Sequence, residues 1–151
     1  MNTSFKIWKK NREQLLEYFD KYTLEQLNKI PSGFSNNLIW NIGHVIVVQQ
    51  ALVYKASGLE AYVSEDLFKL YMPGTIPKGN TSQVQVDNLI GLLMSLIEKT
   101  EADFQNGKFV TYNERKAGAG IILSSIEDAI QFNNYHEGLH FGYMMNIRKF
   151  V

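Results

Sequence analysis

The chain has 151 residues, 45% of them hydrophobic and 20% charged, with no net charge and a pI near 6.8. That length and composition fit one globular domain with a real core, and the balanced charge gives no electrostatic footing for nucleic acid or an anionic membrane. Cysteine is absent, which excludes disulfides, thiolate metal sites and a cysteine nucleophile and fits a cytoplasmic, reducing setting.

The opening stretch, MNTSFKIWKKNREQ, mixes charged and aromatic residues and has no apolar signal core. Over residues 4–20, Phe5, Trp8, Leu15, Leu16 and Phe19 recur at helical spacing and predict one amphipathic face. Arg12 interrupts that stripe and is expected to line something polar. Thr23 caps a short extra turn that Pro31 and Gly33 end. Ser35 is the expected cap of a second helix over 36–57, closed by Gly58. The most apolar run, HVIVVQQALVY, lies inside it; Gln49 and Gln50 break the run, which is too short to span a bilayer. A short helix is predicted at 64–71, followed by the Pro/Gly connection MPGTIPKGNTS. A third long helix covers 82–105, with Val86, Leu89, Ile90, Leu93, Ile97 and Phe104 on one face. Residues 107–123 are glycine-rich and irregular, and no alternating strand stands out. SSIE then suggests a capping box of Ser124 and Glu127, opening a last helix that runs almost to the end. Four long helices, each with an apolar face, predict an all-α four-helix bundle with a long crossover between its second and third helices.

The three histidines of the chain fall on two of these helices. His136 and His140 are four apart, so they stack on one side of the last helix. Their stripe continues through Ala129, Phe132, Tyr143 or Met144, and Ile147, and so faces the interior. His44 sits between Trp40 and Val48 on an inward stripe of the second helix. A single histidine on an apolar face is ordinarily a core residue with a satisfied hydrogen bond, and that reading covers His44 taken alone. Three imidazoles buried without partners would be costly, and one shared metal ion would partner all of them. The string His136-Glu137-x-x-His140 also matches a metalloprotease motif. Its extended form needs glycine at 143 and histidine at 146, where the chain has Tyr143 and Asn146, and no acidic residue follows His140. The protease reading therefore fails. Glu137 points about 100° away from His136 around the helix; as a candidate catalytic acid–base it is a group behind the ligands, a rim acid, or a merely solvated residue.

The order and spacing of NNLIWNIGHV, the PGTIP segment and HEGLHFGYMMNIRKF resemble the DinB/YfiT-like superfamily over essentially the whole chain. The resemblance implies an up-down-down-up four-helix bundle, often a homodimer, with a divalent metal, commonly zinc or nickel, on His44, His136 and His140; imidazole ligands also suit iron. Trp40, Asn133 and Tyr143 are the expected pocket lining. Many members carry Gln where this chain has Tyr143 and an acidic residue near the position of Gln49. The superfamily includes thiol-dependent transferases and hydrolases. Three neutral imidazoles leave a position open and the ion's charge uncompensated, which acidifies a bound water or thiol. Without cysteine, any thiol has to be a low-molecular-weight cosubstrate. The alternative is a non-catalytic bundle that binds a metal or small ligand, in stress response for example. The substrate is expected to be a small molecule, with no nucleic acid or membrane partner.

Overall fold

Helix-forming periodicity governs most of the chain, and the caps decide where each helix starts. The computed structural model describes residues 1–151, the side chain of Ala119 excepted. Helix α1 is Asn2–Lys21, and Phe5, Trp8, Arg12, Leu15 and Tyr18 are its buried face. Leu16 and Phe19, expected inside, are only half-buried, because Tyr18 takes the interior place one turn beyond Leu15. Thr23 caps the short α2 (Leu24–Asn28) in a capping box with Gln26.

Helix α3 is Leu38–Val53, shorter than the predicted 36–57. Its cap is Asn37, not Ser35: the Asn37 side-chain Oδ1 accepts from Trp40 N at 2.8 Å while its Nδ2 donates to the Asn28 backbone oxygen at 2.8 Å. A tertiary contact therefore places the boundary. After Val53 the chain tightens into a 3₁₀ turn over Lys55–Ser57 and leaves through Gly58, whose φ of 71° favours glycine. Ser64 caps α4 (Glu65–Tyr71), and a Ser82–Gln85 capping box opens α5 (Gln83–Gln105).

The glycine-rich stretch holds a minimal hairpin, β1 (Arg115–Lys116) antiparallel to β2 (Ile122–Leu123). Two residues per strand are too few to show alternation in sequence. Helix α6 is Ile126–Ile147. Its cap is Ser125 rather than Ser124: Ser125 Oγ accepts from Asp128 N, and Asp128 in turn accepts from Ser124 N. The expected Ser124–Glu127 box is displaced by one residue.

The chain is thus all-α apart from this hairpin. Its long helices α1, α3, α5 and α6 pack with α1 against α5 and α6, and α3 against α5 and α6. Phe5 meets Phe104 and Lys9 pairs with Glu101; Asn134 reaches Ser4 and Tyr18 meets Phe141. Asn41 meets His140, Leu52 clusters with Phe132, Gln49 bonds Thr100 and Tyr54 bonds Asp103. Helix α3 is buried around nearly its whole circumference, with only Val48 and Ala51 half-buried, because α2, α4, α5 and α6 all pack on it. No helix among the described residues is long and apolar enough to cross a membrane.

Candidate metal centre

The facing stretches of α3 and α6 bring His44, His136 and His140 together. Their ring centroids are 5.2 Å (His44–His136), 4.6 Å (His44–His140) and 4.6 Å (His136–His140) apart. One ring nitrogen from each lies within 4.8 Å of the other two. His44 is buried and the other two half-buried.

Two of the rings are fixed from behind. His44 Nδ1 is 2.7 Å from the Tyr71 backbone oxygen. A carbonyl only accepts, so Nδ1 carries the hydrogen and Nε2 is left as a lone-pair donor. His140 Nδ1 is 2.8 Å from Asn41 Oδ1. The Asn41 amide nitrogen is committed to Asn36 Oδ1 and the Asn37 backbone oxygen, which leaves the oxygen facing His140 and gives the same tautomer. Such outer contacts orient metal-binding histidines. Trp40 stacks on His44 with centroids 4.7 Å apart, and Phe132 stacks on His136 at 6.4 Å.

Burial holds all three imidazoles in the neutral form. It depresses His136 to about 3, helped by the positive forms of His140 and His44 and by Arg12. His140 is depressed to about 4 by burial and then by His44. His44 is lowered by burial against the opposing pull of the Tyr71 carbonyl. Neutral imidazole is the metal-binding form. His136 Nδ1 is buried with no hydrogen-bond partner within the protein, which an isolated core histidine would not tolerate well. The donor set and this orphaned nitrogen both fit a divalent ion.

Glu137 has a different place from any expected for it on the rim or in solvent. It is fully buried, as is Arg12. Glu137 Oε1 accepts from Arg12 Nη2 at 2.7 Å, Trp8 Nε1 at 2.8 Å and Asn133 Nδ2 at 2.8 Å, and Arg12 Nε spans both carboxylate oxygens at 3.0 Å. Arg12 also donates to the Val45 backbone oxygen. The polar group expected beside Arg12 is therefore Glu137. Its hydrogen bonds go to Arg12, Trp8 and Asn133, and no histidine is among its partners. Asn133 belongs to this buried network instead of the pocket lining.

The remaining lining residues do meet a cavity. It has a volume of about 360 Å³ and is bounded by Asn36, Trp40, Asn41, Leu139, His140 and Tyr143. Tyr143 also packs edge-on against Phe34, which in turn meets Phe150. Asn41 and the Tyr71 carbonyl were invisible from the sequence: one asparagine among several and a backbone atom carry no residue signal.

A family model described as the DinB superfamily matches residues 7–144. The chain belongs to the DinB superfamily. No curated protein matches it. Within this DinB chain the three histidines are compatible with holding a metal ion, and they sit at the two facing helices that the superfamily match spans.

Proposed function

We propose that this DinB-superfamily protein binds one divalent metal ion through His44, His136 and His140 and activates a small thiol for transfer to an electrophile. The observation that supports the reading is the convergence of three neutral imidazoles, two of them with the tautomer fixed from behind and one, His140, bounding a cavity. Zinc and nickel are the ions we favour, with iron also suited to imidazole. Held by three protein ligands, the ion would keep one position open and make a thiol or water there more acidic.

The chain's own residues favour the thiol. A hydrolase places a general base within hydrogen-bond reach of the attacking water. Among the described residues no carboxylate lines the cavity, and Glu137 is buried and hydrogen-bonded to Arg12, Trp8 and Asn133. Thiol transfer needs no protein base. The sulfur lone pair forms the new C–S bond, the leaving group departs with the old bonding pair, and the thiol proton passes to solvent. Trp40, Leu139 and Tyr143 give the cavity apolar walls for the body of the electrophile.

Elemental analysis of untagged protein is expected to find about one metal per chain, lost in the His136→Ala/His140→Ala double variant. Metal-loaded protein is expected to accelerate conjugation of monochlorobimane to a small thiol, with chloride released, and His44→Ala is expected to abolish the gain. Retained metal in the double variant refutes the site. Ester or amide turnover without thiol replaces transfer by hydrolysis, and silence in every assay with metal bound favours the non-catalytic binding protein.

We also infer an up-down-down-up bundle forming one domain. Phe5–Phe104 with Lys9–Glu101 gives opposed senses for α1 and α5, and Ser4–Asn134 with Tyr18–Phe141 gives a common sense for α1 and α6. Asn41–His140 with Leu52–Phe132 opposes α3 to α6. The homodimer rests on the superfamily resemblance alone, and sedimentation reads it directly.

A further inference from the structure

We propose that Gly43 and the turn beginning at Tyr71 form a positioning device for His44; the proposal rests on the metal-binding reading of the three-histidine centre. Gly43 stands in the interior of α3, where glycine is less favourable than alanine. A methyl group at this position would lie 2.5 Å from Tyr71 Cδ1 and 2.6 Å from Cε1 and Cγ. Carbon atoms pack at roughly 3.5–4.0 Å, so the Tyr71 ring occupies the space a side chain at 43 would need. The ring is itself buried.

This close approach carries the end of α4 onto α3 one residue away from a metal ligand. Tyr71 is the last residue of α4, and carbonyls of the last helical turn have no partner within the helix. The Tyr71 carbonyl is therefore available, and it accepts from His44 Nδ1 at 2.7 Å. The turn is held a second time, because Trp40 Nε1 donates to Thr75 Oγ1 at 3.1 Å while the Trp40 ring lies nearly parallel to His44, 17° from it. His44 is thus fixed at Nδ1 by the turn and on one face by an indole that the same turn holds. Gly43 is not among the residues that bound the cavity. It acts by letting the turn come close enough for the carbonyl to set the His44 ring and tautomer.

The test measures zinc affinity by chelator competition on untagged protein, with circular dichroism as the check on folding. Gly43→Ala is expected to weaken zinc binding by about tenfold or more, as loss of an outer-sphere contact does. Gly43→Ala/Tyr71→Ala is expected to recover most of that affinity, because removing the ring relieves the clash and keeps the backbone carbonyl. A merely structural role for Gly43 would not be rescued in affinity by deleting a core aromatic. A folded Gly43→Ala protein that binds zinc as tightly as wild type overturns the proposal, as does a double variant no tighter than the single one. Should Gly43→Ala not fold, ¹⁵N–¹H correlation of the His44 ring in metal-free wild type decides: a hydrogen on Nδ1 supports the device and one on Nε2 overturns it. Wild type that binds no zinc or nickel brings down the metal reading itself, an outcome distinct from wild-type binding that the variant leaves unchanged.

Discussion

Arg12 and Glu137 form an ion pair in which both side chains are fully buried. Deleting one partner of such a pair strands the other, at a cost of about 3–5 kcal/mol. Arg12→Met and Glu137→Gln are each expected to shift the urea midpoint sharply downward. Arg12→Met combined with Glu137→Gln is expected to cost less than the sum of the single changes. A double-mutant cycle reads this directly. A loss of activity in a Glu137 variant would therefore report on folding. The histidines were legible in the sequence because their spacing and the apolar residues around them coincide. The meaning of Glu137 was not, because its partner Arg12 lies 125 positions away. The 100° offset from His136 left its place open between a group behind the ligands, a rim acid and a solvated residue, and the latter two assume that α6 has a single inner face. It has two: one packs on α3 and the other on α1.

The helices themselves were legible as periodic segments, and their ends less so. Two adjacent serines precede α6, and both fit the chemistry of a cap. The one used is Ser125, since Asp128 three residues on receives the Ser124 N–H and closes the turn. Ser125→Ala is expected to cost about 1 kcal/mol in denaturant unfolding. Ser124→Ala is expected to cost much less, because its hydroxyl only reaches Glu114 at an exposed position. At the head of α3 the choice of Asn37 over Ser35 depends on the Asn28 carbonyl, a contact that local sequence does not encode. The hairpin at 115–123 escaped for a related reason, since its pairing is two residues deep and gives periodicity nothing to act on.

The three depressed histidines make the whole molecule sensitive to acid. Their folded values lie below the ordinary value near 6.5, at about 3 for His136 and about 4 for His140. Below pH 6.5 the unfolded chain takes up protons that the folded chain refuses, so stability falls with pH from about 6.5 toward 4 and 3. Above 6.5 these groups contribute no slope. Metal-free wild type is expected to lose stability across that window more steeply than His136→Ala/His140→Ala, as read by urea midpoints at a series of pH values. Zinc at a hundred times its Kd is expected to add about 2.7 kcal/mol, with none gained in the double variant. Helix α6, meanwhile, is gripped on two sides: Glu137 is bonded to α1 while His136 and His140 face α3. Rotating α6 to improve the aim of either imidazole would pull the carboxylate off Arg12. The centre is therefore held from two directions: α6 through Glu137 and Arg12, and His44 through the end of the short α4, which packs on α3. Hydrogen exchange should register metal binding as slowed amides over 65–75, with the middle of α6 unchanged.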